Sequence, residues 1–192
     1  MNDRLQEGIM RISAKDTICL VIDYQERLIP SIGENELLLE NSRKLLQGLK
    51  LLKIPFLVTQ QYTKGLGATV SEIADILDMP ATTSAMDKIT FSAWENEPIR
   101  KALENQHKRN VIVCGTEAHI CVLQTLIDLQ NNGYQVILPT DCIGSRKEID
   151  KAGAIQRSLY EGALLTTYEA LLFELTQVAG TEVFRQLVKI IK

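Results

Sequence analysis

The chain has 192 residues, of which 45% are hydrophobic and 23% are charged, and its formal net charge is -3. This length suits one domain with a full apolar core. The slightly negative charge excludes the basic surface that attracts nucleic acid or an anionic membrane, and no apolar run reaches the roughly 18 residues that cross a bilayer.

Residues 1–16 mix charged and apolar side chains without the apolar core of a secretory signal, so we expect a cytoplasmic protein. The cysteines form neither a CxxC pair nor a metal-like cluster, and we therefore expect reduced thiols. Because the sequence holds two histidines, a three-histidine zinc site is excluded. The four cysteines are Cys19, Cys114, Cys121 and Cys142.

Short apolar runs alternate with helical periodicity along the chain. In chain order, the pattern predicts a strand at 17–23, a helix at 35–52, a strand at 54–61, a glycine loop and short helix at 64–77, an extended segment at 87–94, a helix at 96–106, a strand at 110–115, a helix at 119–133, a strand at 134–139, a helix at 145–162, and a strand running into a helix at 163–175.

Because parallel strands are joined by helical crossovers, this alternation predicts an α/β fold. We expect a three-layer αβα domain around a mainly parallel, six-stranded, Rossmann-like sheet. One domain is expected over residues 1–192, with an N-terminal arm at 1–15 and a C-terminal helical extension at 176–192. Ligands of such sheets bind beyond the carboxyl ends of the strands, so functional residues are sought there.

Three chemically different side chains lie at or beside the ends of the predicted strands. Asp23 follows the first strand, Lys88 lies in the third extended segment, and Cys121 begins the helix after the fourth strand. Each has a plain structural alternative, because strand-end aspartates cap turns, lone lysines are usually solvated, and thiols often fill apolar cores. Cys114 is expected to be such core filler, and Asp141, after the fifth strand, is a candidate cap.

The position of Cys121 at a helix start also suits chemistry. A helix N-terminus favours a thiolate, and its free N–H groups can hold a developing oxyanion. A carboxylate that takes the thiol proton, a cation that stabilises the charges and a thiol together form a set for nucleophilic catalysis. Asp23, Lys88 and Cys121 are therefore predicted to meet at one edge of the sheet.

The chain resembles the isochorismatase-like family of cysteine hydrolases, which includes nicotinamidases and N-carbamoylsarcosine amidohydrolases. The resemblance covers about residues 15–175 and implies that Asp23, Lys88 and Cys121 are catalytic. It further implies a cis peptide bond between Thr116 and Glu117, with the backbone N–H groups of Glu117 and Cys121 as the oxyanion hole. It is carried by four segments: LVIDYQERL (20–28), TQQYTKGLG (59–67), DKITFSAW (87–94) and VCGTEAHICVLQT (113–125).

Two departures from the family pattern narrow the expected activity. Nicotinamidases carry an aspartate–histidine metal motif after the second strand, where this chain reads TQQYTKGLGAT. We therefore expect no metal, no cofactor and no nicotinamidase activity. Isochorismatases proper lack the cysteine that this chain has at Cys121. The resemblance thus implies a homo-oligomeric hydrolase of a small amide or carbamoyl C–N bond, acting through a thioester.

The predicted substrate pocket is drawn from segments around the three catalytic residues. Gln25, Gln61 and Tyr62 are candidate polar contacts, and Ile120 flanks the nucleophile. The aromatic candidates are Phe91 and Trp94, for which plain core packing is the alternative.

Three other functions remain open at this point. A non-catalytic scaffold or binding protein could keep the same fold. A nucleotide-binding Rossmann protein is disfavoured because no G-x-G-x-x-G follows the first strand, where the text is DYQERLIP. A redox-sensing thiol protein would oxidise Cys121, but no resolving cysteine is close in sequence.

Overall fold

The computed structural model describes residues 11–80 and 82–192, so residues 1–10 of the predicted N-terminal arm lie outside the described part. Within the described part, seven strands form one sheet: β1 (Thr17–Ile22), β2 (Phe56–Gln61), β3 (Ala85–Lys88), β4 (Asn110–Thr116), β5 (Gln135–Pro139), β6 (Ile143–Gly144) and β7 (Leu164–Thr166).

The strands lie in the order β3-β2-β1-β4-β5-β7, and each neighbouring pair is parallel. The predicted α/β class with a mainly parallel sheet is therefore confirmed. The additional strand, β6, pairs with the end of β4, where Gly115 faces Ile143 and Thr116 faces Gly144. A two-residue strand leaves no periodic pattern, which is why the sequence predicts six strands and not seven.

Eight helices of the described residues connect and cover these strands: α1 (Asn35–Leu51), α2 (Thr63–Leu66), α3 (Ser71–Ala74), α4 (Glu97–Glu104), α5 (Leu123–Asn131), α6 (Glu148–Tyr160), α7 (Tyr168–Thr176) and α8 (Glu182–Ile191). Capping side chains start three of them, because Asn96, Thr167 and Thr181 each accept a hydrogen bond from a first-turn N–H. In the described part of the chain, no helix has the length and apolarity needed to cross a membrane.

The sheet is buried on both faces, as a parallel sheet requires. Cys19 and Val21 of β1 join one apolar core, with α1, α7 and α8. Ile18, Leu20 and Ile22 join a second core, with α4, α5 and α6. Helices on both faces of the sheet make the three layers that the sequence predicts.

The direction of winding reverses at β1. From this strand the chain adds β2 and β3 on one side, and then β4 and β5 on the other. Crossovers leave the sheet in opposite directions at such a reversal, and ligands of open α/β sheets typically bind there, beyond the carboxyl ends of the two central strands. Asp23 follows β1, and the loop formed by residues 115–120 leads from the end of β4 to Cys121.

Candidate active site

Asp23 stands at the carboxyl end of β1 with its side chain fully buried. Its backbone is left-handed, with φ 52°, and turns the chain out of the sheet. The Thr59 hydroxyl of β2 donates to Asp23 Oδ1 at 2.7 Å, and the Asp23 N–H donates to the Thr59 carbonyl at 3.2 Å. These bonds leave Oδ2 for a different partner.

That partner is Lys88, the last residue of β3. Its ammonium Nζ donates to Asp23 Oδ2 at 2.8 Å and to Gln61 Oε1 at 2.6 Å. The carbonyls of Thr90 and Phe91 lie 3.3 and 3.1 Å from Nζ. Because Lys88 is 1% exposed, the alternative of a solvated surface lysine is excluded. A buried ammonium needs such a carboxylate and a shell of oxygens.

Cys121 lies on the other side of Gln61. Its Sγ is 3.8 Å from Gln61 Oε1, the same oxygen that accepts from Lys88. The residue belongs to a π-helical turn, Ala118–Val122, which runs into α5, and it is 6% exposed. The thiol and the ammonium are therefore held around one amide oxygen.

The protonation of Cys121 differs from the sequence expectation. Burial, and after it the negative charge of Asp23, raises the pKa of the Cys121 thiol to about 12, while the Lys88 ammonium lowers it. The expected thiolate-favouring helix start is outweighed for two reasons. The thiol is desolvated, and the regular turns of α5 begin only at Leu123.

The 115–120 loop starts in the last two residues of β4, in a shape that only glycine permits at its first position. Gly115 has φ +129°, and a Cβ there would lie 1.9 Å from the Ile22 carbonyl oxygen of β1. The peptide bond between Thr116 and Glu117 is cis. The Thr116 hydroxyl donates to the Asp23 carbonyl at 2.7 Å, which ties the loop to the aspartate.

Two predicted polar contacts, Gln25 and Gln61, are held by the protein itself. Gln25 Oε1 accepts from the Gln61 N–H at 2.8 Å, and its Nε2 donates to the carbonyls of Gln61 and Gly67. Gln61 Nε2 donates to the Ile89 carbonyl at 2.8 Å, so its oxygen is turned to Lys88 and Cys121. Gln25 thus fixes the end of β2, and Gln61 belongs to the site; substrate contact by either stays a prediction.

The remaining pocket candidates are divided between surface and core. Tyr62 and Phe91 are 51% and 53% exposed, and Ile120 is half-buried. Trp94 is buried, and its ring packs edge-on against Tyr134, with centroids 5.6 Å apart. This contact favours the core-packing alternative for Trp94, whose place in a substrate pocket stays a prediction.

Sequence reasoning did not single out Thr59. It lies two residues before Gln61 on β2, so both side chains point to the same face of the sheet. The two-residue spacing between Thr59 and Gln61 is the sequence feature that places Thr59 on the same face as the site. Asp141, the capping candidate, does accept from the Tyr168 N–H at the start of α7, at 2.9 Å.

Among residues 11–80 and 82–192, no group of three or more histidine, cysteine, aspartate or glutamate side chains is placed to hold a metal ion. The chemically distinctive groups at the carboxyl ends of the central strands are an ion pair and a thiol. This set can move a proton between sulfur and carboxylate while the ammonium balances the charge.

Comparisons with known proteins agree on one family. A profile described as Isochorismatase domain matches residues 17–170. The chain is 33% identical over 185 residues to isochorismatase domain-containing protein 2 of Danio rerio, covering 96% of this chain and 91% of that protein.

Solved structures share the fold. A structure described as MAR1 ribonuclease from Caenorhabditis elegans matches with a TM-score of 0.87 and 34% identity, over 95% of this chain and 92% of that one. The YcaC gene product of Escherichia coli, described as an octameric hydrolase of unknown specificity, matches with a TM-score of 0.85 and 24% identity, over 97% of this chain and 89% of that one.

Proposed function

This chain belongs to the isochorismatase domain family, and we propose that it is a cysteine hydrolase that cleaves a small amide or carbamoyl C–N bond. One observation carries the proposal: the ammonium of a buried Asp23–Lys88 ion pair, 2.8 Å between Oδ2 and Nζ, and the Cys121 thiol approach the same Gln61 oxygen, at 2.6 and 3.8 Å. A structural core has little use for such a set, because replacing a buried ion pair by apolar residues is often neutral or stabilising.

The proton balance of the first step follows from the raised pKa of Cys121. The resting sulfur is a thiol, so its proton must leave as the sulfur attacks. Asp23 takes that proton, while Sγ forms a bond to the carbonyl carbon and the C=O electron pair moves to oxygen. Thr59 keeps the carboxylate oriented, and Lys88 lowers the pKa of the thiol.

The oxyanion is held by the backbone N–H groups of Glu117 and Cys121. As it collapses, the C–N bond breaks and the leaving nitrogen takes the proton from Asp23. A thioester on Cys121 remains. Asp23 then takes a proton from water, whose oxygen attacks the thioester carbon, and Cys121 leaves with that proton restored to sulfur.

A second candidate activity is the cleavage of RNA, because the C. elegans relative described as a ribonuclease is 34% identical. Two features of this chain count against it. The formal net charge is -3, and the Lys88 ammonium is buried among four oxygens, out of reach of a phosphate backbone. An amide or carbamoyl substrate carries no charge and better suits a site whose ammonium is already paired with Asp23.

We also propose a homo-oligomer, supported by the E. coli structure described as an octamer. Analytical ultracentrifugation measures this directly, and a monomer at micromolar concentration would contradict it. The cytoplasmic location and the single domain over 1–192 stay predictions of the sequence.

The decisive experiment measures turnover by the wild type, Cys121→Ala and Asp23→Asn on a panel of small amides, carbamoyl compounds and single-stranded RNA. Each substitution should lower turnover of the best amide by at least about a thousandfold. The nucleophile and its proton acceptor act as a unit, so the loss of either one disables the attack. Cys114→Ala is the matched control, since it removes a buried thiol of the same segment that contacts Cys19 and Leu20.

Two outcomes would reject the proposal. One is wild-type turnover by Cys121→Ala on an amide that the parent hydrolyses. The other is cleavage of RNA that depends on Cys121 while every amide and carbamoyl compound stays intact.

A further inference from the structure

The 115–120 loop is tied to a second segment, residues 143–146, which the proposed chemistry does not use. The backbone of this segment pairs with the end of β4, as Ile143 faces Gly115 and Gly144 faces Thr116. His119 Nδ1 and Ser145 Oγ lie 2.9 Å apart in a further hydrogen bond. The two segments are therefore joined both by backbone pairing and by side chains.

The 143–146 segment also packs against α1 and against the turn that precedes α1. A Cβ on Gly144 would lie 2.6 Å from Ile32 Cγ2 and 2.7 Å from Leu38 Cδ2, so the backbone packs directly on these side chains. The Gly33 N–H donates to the Ser145 carbonyl at 3.0 Å. The segment can therefore act as a firm support for the loop.

The strongest side-chain link between the two segments joins Glu117 and Arg146. Glu117 Oε2 accepts from the Arg146 backbone N–H at 3.1 Å and from Arg146 Nε at 3.0 Å. The Glu117 side chain is 7% exposed, whereas that of Arg146 is 57% exposed. A buried carboxylate is thus compensated by a guanidinium that reaches in from the surface.

We propose that Arg146 is a positioning residue, which through Glu117 holds the Thr116–Glu117 peptide group and so aims the Glu117 N–H at the oxyanion. This inference rests on the proposed function and adds to it a residue whose side chain is paired with Glu117 and not with Asp23, Lys88 or Cys121. Geometry at an oxyanion donor matters because a hydrogen bond weakens steeply with distance and angle.

Two reagents that attack the same thiol separate this role from a structural one. Iodoacetamide alkylates Cys121 by displacing iodide, and no oxyanion forms. p-Nitrophenyl acetate acylates Cys121 through a tetrahedral oxyanion and releases p-nitrophenolate. The ratio of the two rate constants therefore separates stabilisation of the oxyanion from the nucleophilicity of the thiol, and mass spectrometry verifies that Cys121 is the residue modified.

Arg146→Ala and Glu117→Gln should each lower the acylation rate constant about ten- to a hundredfold, somewhat less than the loss of a whole oxyanion donor. Alkylation should stay within about twofold of the wild type, because the thiol and its pKa are not changed. The double variant should be no slower than the worse single one, since both substitutions remove the same ion pair between Arg146 Nε and Glu117 Oε2.

Arg157→Ala is the matched control, because the Arg157 side chain is as exposed as that of Arg146 and forms an ion pair with Glu161, just after the end of α6. It should leave both rate constants unchanged. The inference is overturned if Arg146→Ala and Glu117→Gln keep the wild-type ratio, if acylation and alkylation fall in parallel, or if the two losses add in the double variant.

The wild-type arm tests the proposed function separately. If p-nitrophenyl acetate does not acylate Cys121 of the wild type, the cysteine mechanism fails and the inference fails with it. If the wild type is acylated and the ratio survives both substitutions, the mechanism stands and the role of Arg146 is refuted.

Discussion

Cys121 combines two properties that are usually found apart. It is placed as a nucleophile, yet burial and the Asp23 carboxylate raise the pKa of its thiol to about 12. A thiol of this kind reacts poorly with oxidants and alkylating agents, because only the thiolate is strongly nucleophilic. Activation must then come at the moment of attack, when Asp23 can receive the proton.

The first prediction concerns the pH dependence of this reactivity. Alkylation of Cys121 by iodoacetamide should rise about tenfold per pH unit between pH 6 and pH 9, without a plateau, because the thiolate fraction grows in that proportion below the pKa. Mass spectrometry of the alkylated peptide against time gives the rate at each pH. A plateau beginning near pH 7 would mean a thiolate already formed in the resting site.

Asp23→Asn provides the control for that profile. It removes the charge that raises the pKa of Cys121, so alkylation at pH 8 should become faster than in the wild type. Turnover should fall at the same time, because the proton acceptor is lost. Slower alkylation in Asp23→Asn would show that the carboxylate assists the resting thiol and does not suppress its ionisation.

For individual residues, the sequence predicts which side chains lie close together but not their hydrogen bonds or protonation. Asp23, Lys88 and Cys121 follow from the rule that ligands lie beyond parallel strand ends. The pKa direction of Cys121 could not be predicted, because it depends on burial and on the distance between segments far apart in sequence. Thr59 was missed for the same reason, since its role depends on the pairing of β1 with β2.

At the scale of elements, β1, β4 and the 115–120 loop act as one unit. The last pairs of the β1–β4 ladder set Val21 beside Cys114 and Ile22 beside Gly115. The loop then leaves the sheet against the Ile22 carbonyl, where no side chain fits. The path of the chain from β4 to Cys121 therefore depends on the lack of a side chain at Gly115.

The second prediction compares two glycines. Gly115→Ala should destabilise the fold by at least about 3 kcal/mol, because a Cβ would lie 1.9 Å from a carbonyl oxygen and φ is +129°. Gly153→Ala, inside α6, should stabilise it by about 0.5–1 kcal/mol, because alanine is the better helix former. Apart from the chain neighbours and the backbone of α6 itself, no heavy atom of residues 11–80 and 82–192 lies within 4 Å of the Cβ position there.

Urea denaturation followed by circular dichroism measures both effects. Equal stability of Gly115→Ala and the wild type would mean that β1 and β4 can separate at this point at little cost. A destabilised Gly153→Ala would mean that this exposed face of α6 is covered in solution by another part of the protein or by a second molecule.

The two-residue strand β6 marks the limit of sequence prediction for elements. Periodicity needs at least about four residues to be read, so Ile143–Gly144 was invisible as a strand. Its position beside β4 nevertheless decides where Arg146 lies, and hence the contact with Glu117. A short element can thus set the geometry of a site without leaving a sequence signal.

At the scale of the whole molecule, alternating strands and helices were sufficient to predict the layers and the parallel sheet. The pattern does not predict the strand order. No short stretch of sequence indicates that β4 pairs with the edge of β1 opposite to β2. That pairing is the step that brings Asp23, at the end of β1, beside the 115–120 loop. The site is consequently a product of topology as much as of motif.

The two cores also give the molecule a distinctive response to alkali. Cys19, Cys142 and Tyr24 are buried in the core on the α1 side, and burial raises the pKa of each well above its ordinary value. Together with Cys121, the folded chain holds protons that the unfolded chain releases at a lower pH. The native state therefore binds more protons than the unfolded state in mildly alkaline solution.

The third prediction follows from the sign of this difference. These groups favour the folded state fully below the unfolded pKa of cysteine, about 8.5, and their contribution is lost as the pH rises above it. The thermal midpoint should therefore vary little between pH 7 and pH 8 and fall between pH 8.5 and pH 10. In Cys19→Ala the midpoint at pH 7 should be lower, because a cavity forms, but its fall toward pH 10 should be smaller. Differential scanning calorimetry measures both, and an equal fall in the two proteins would show that the Cys19 thiol does not contribute to the alkaline limit.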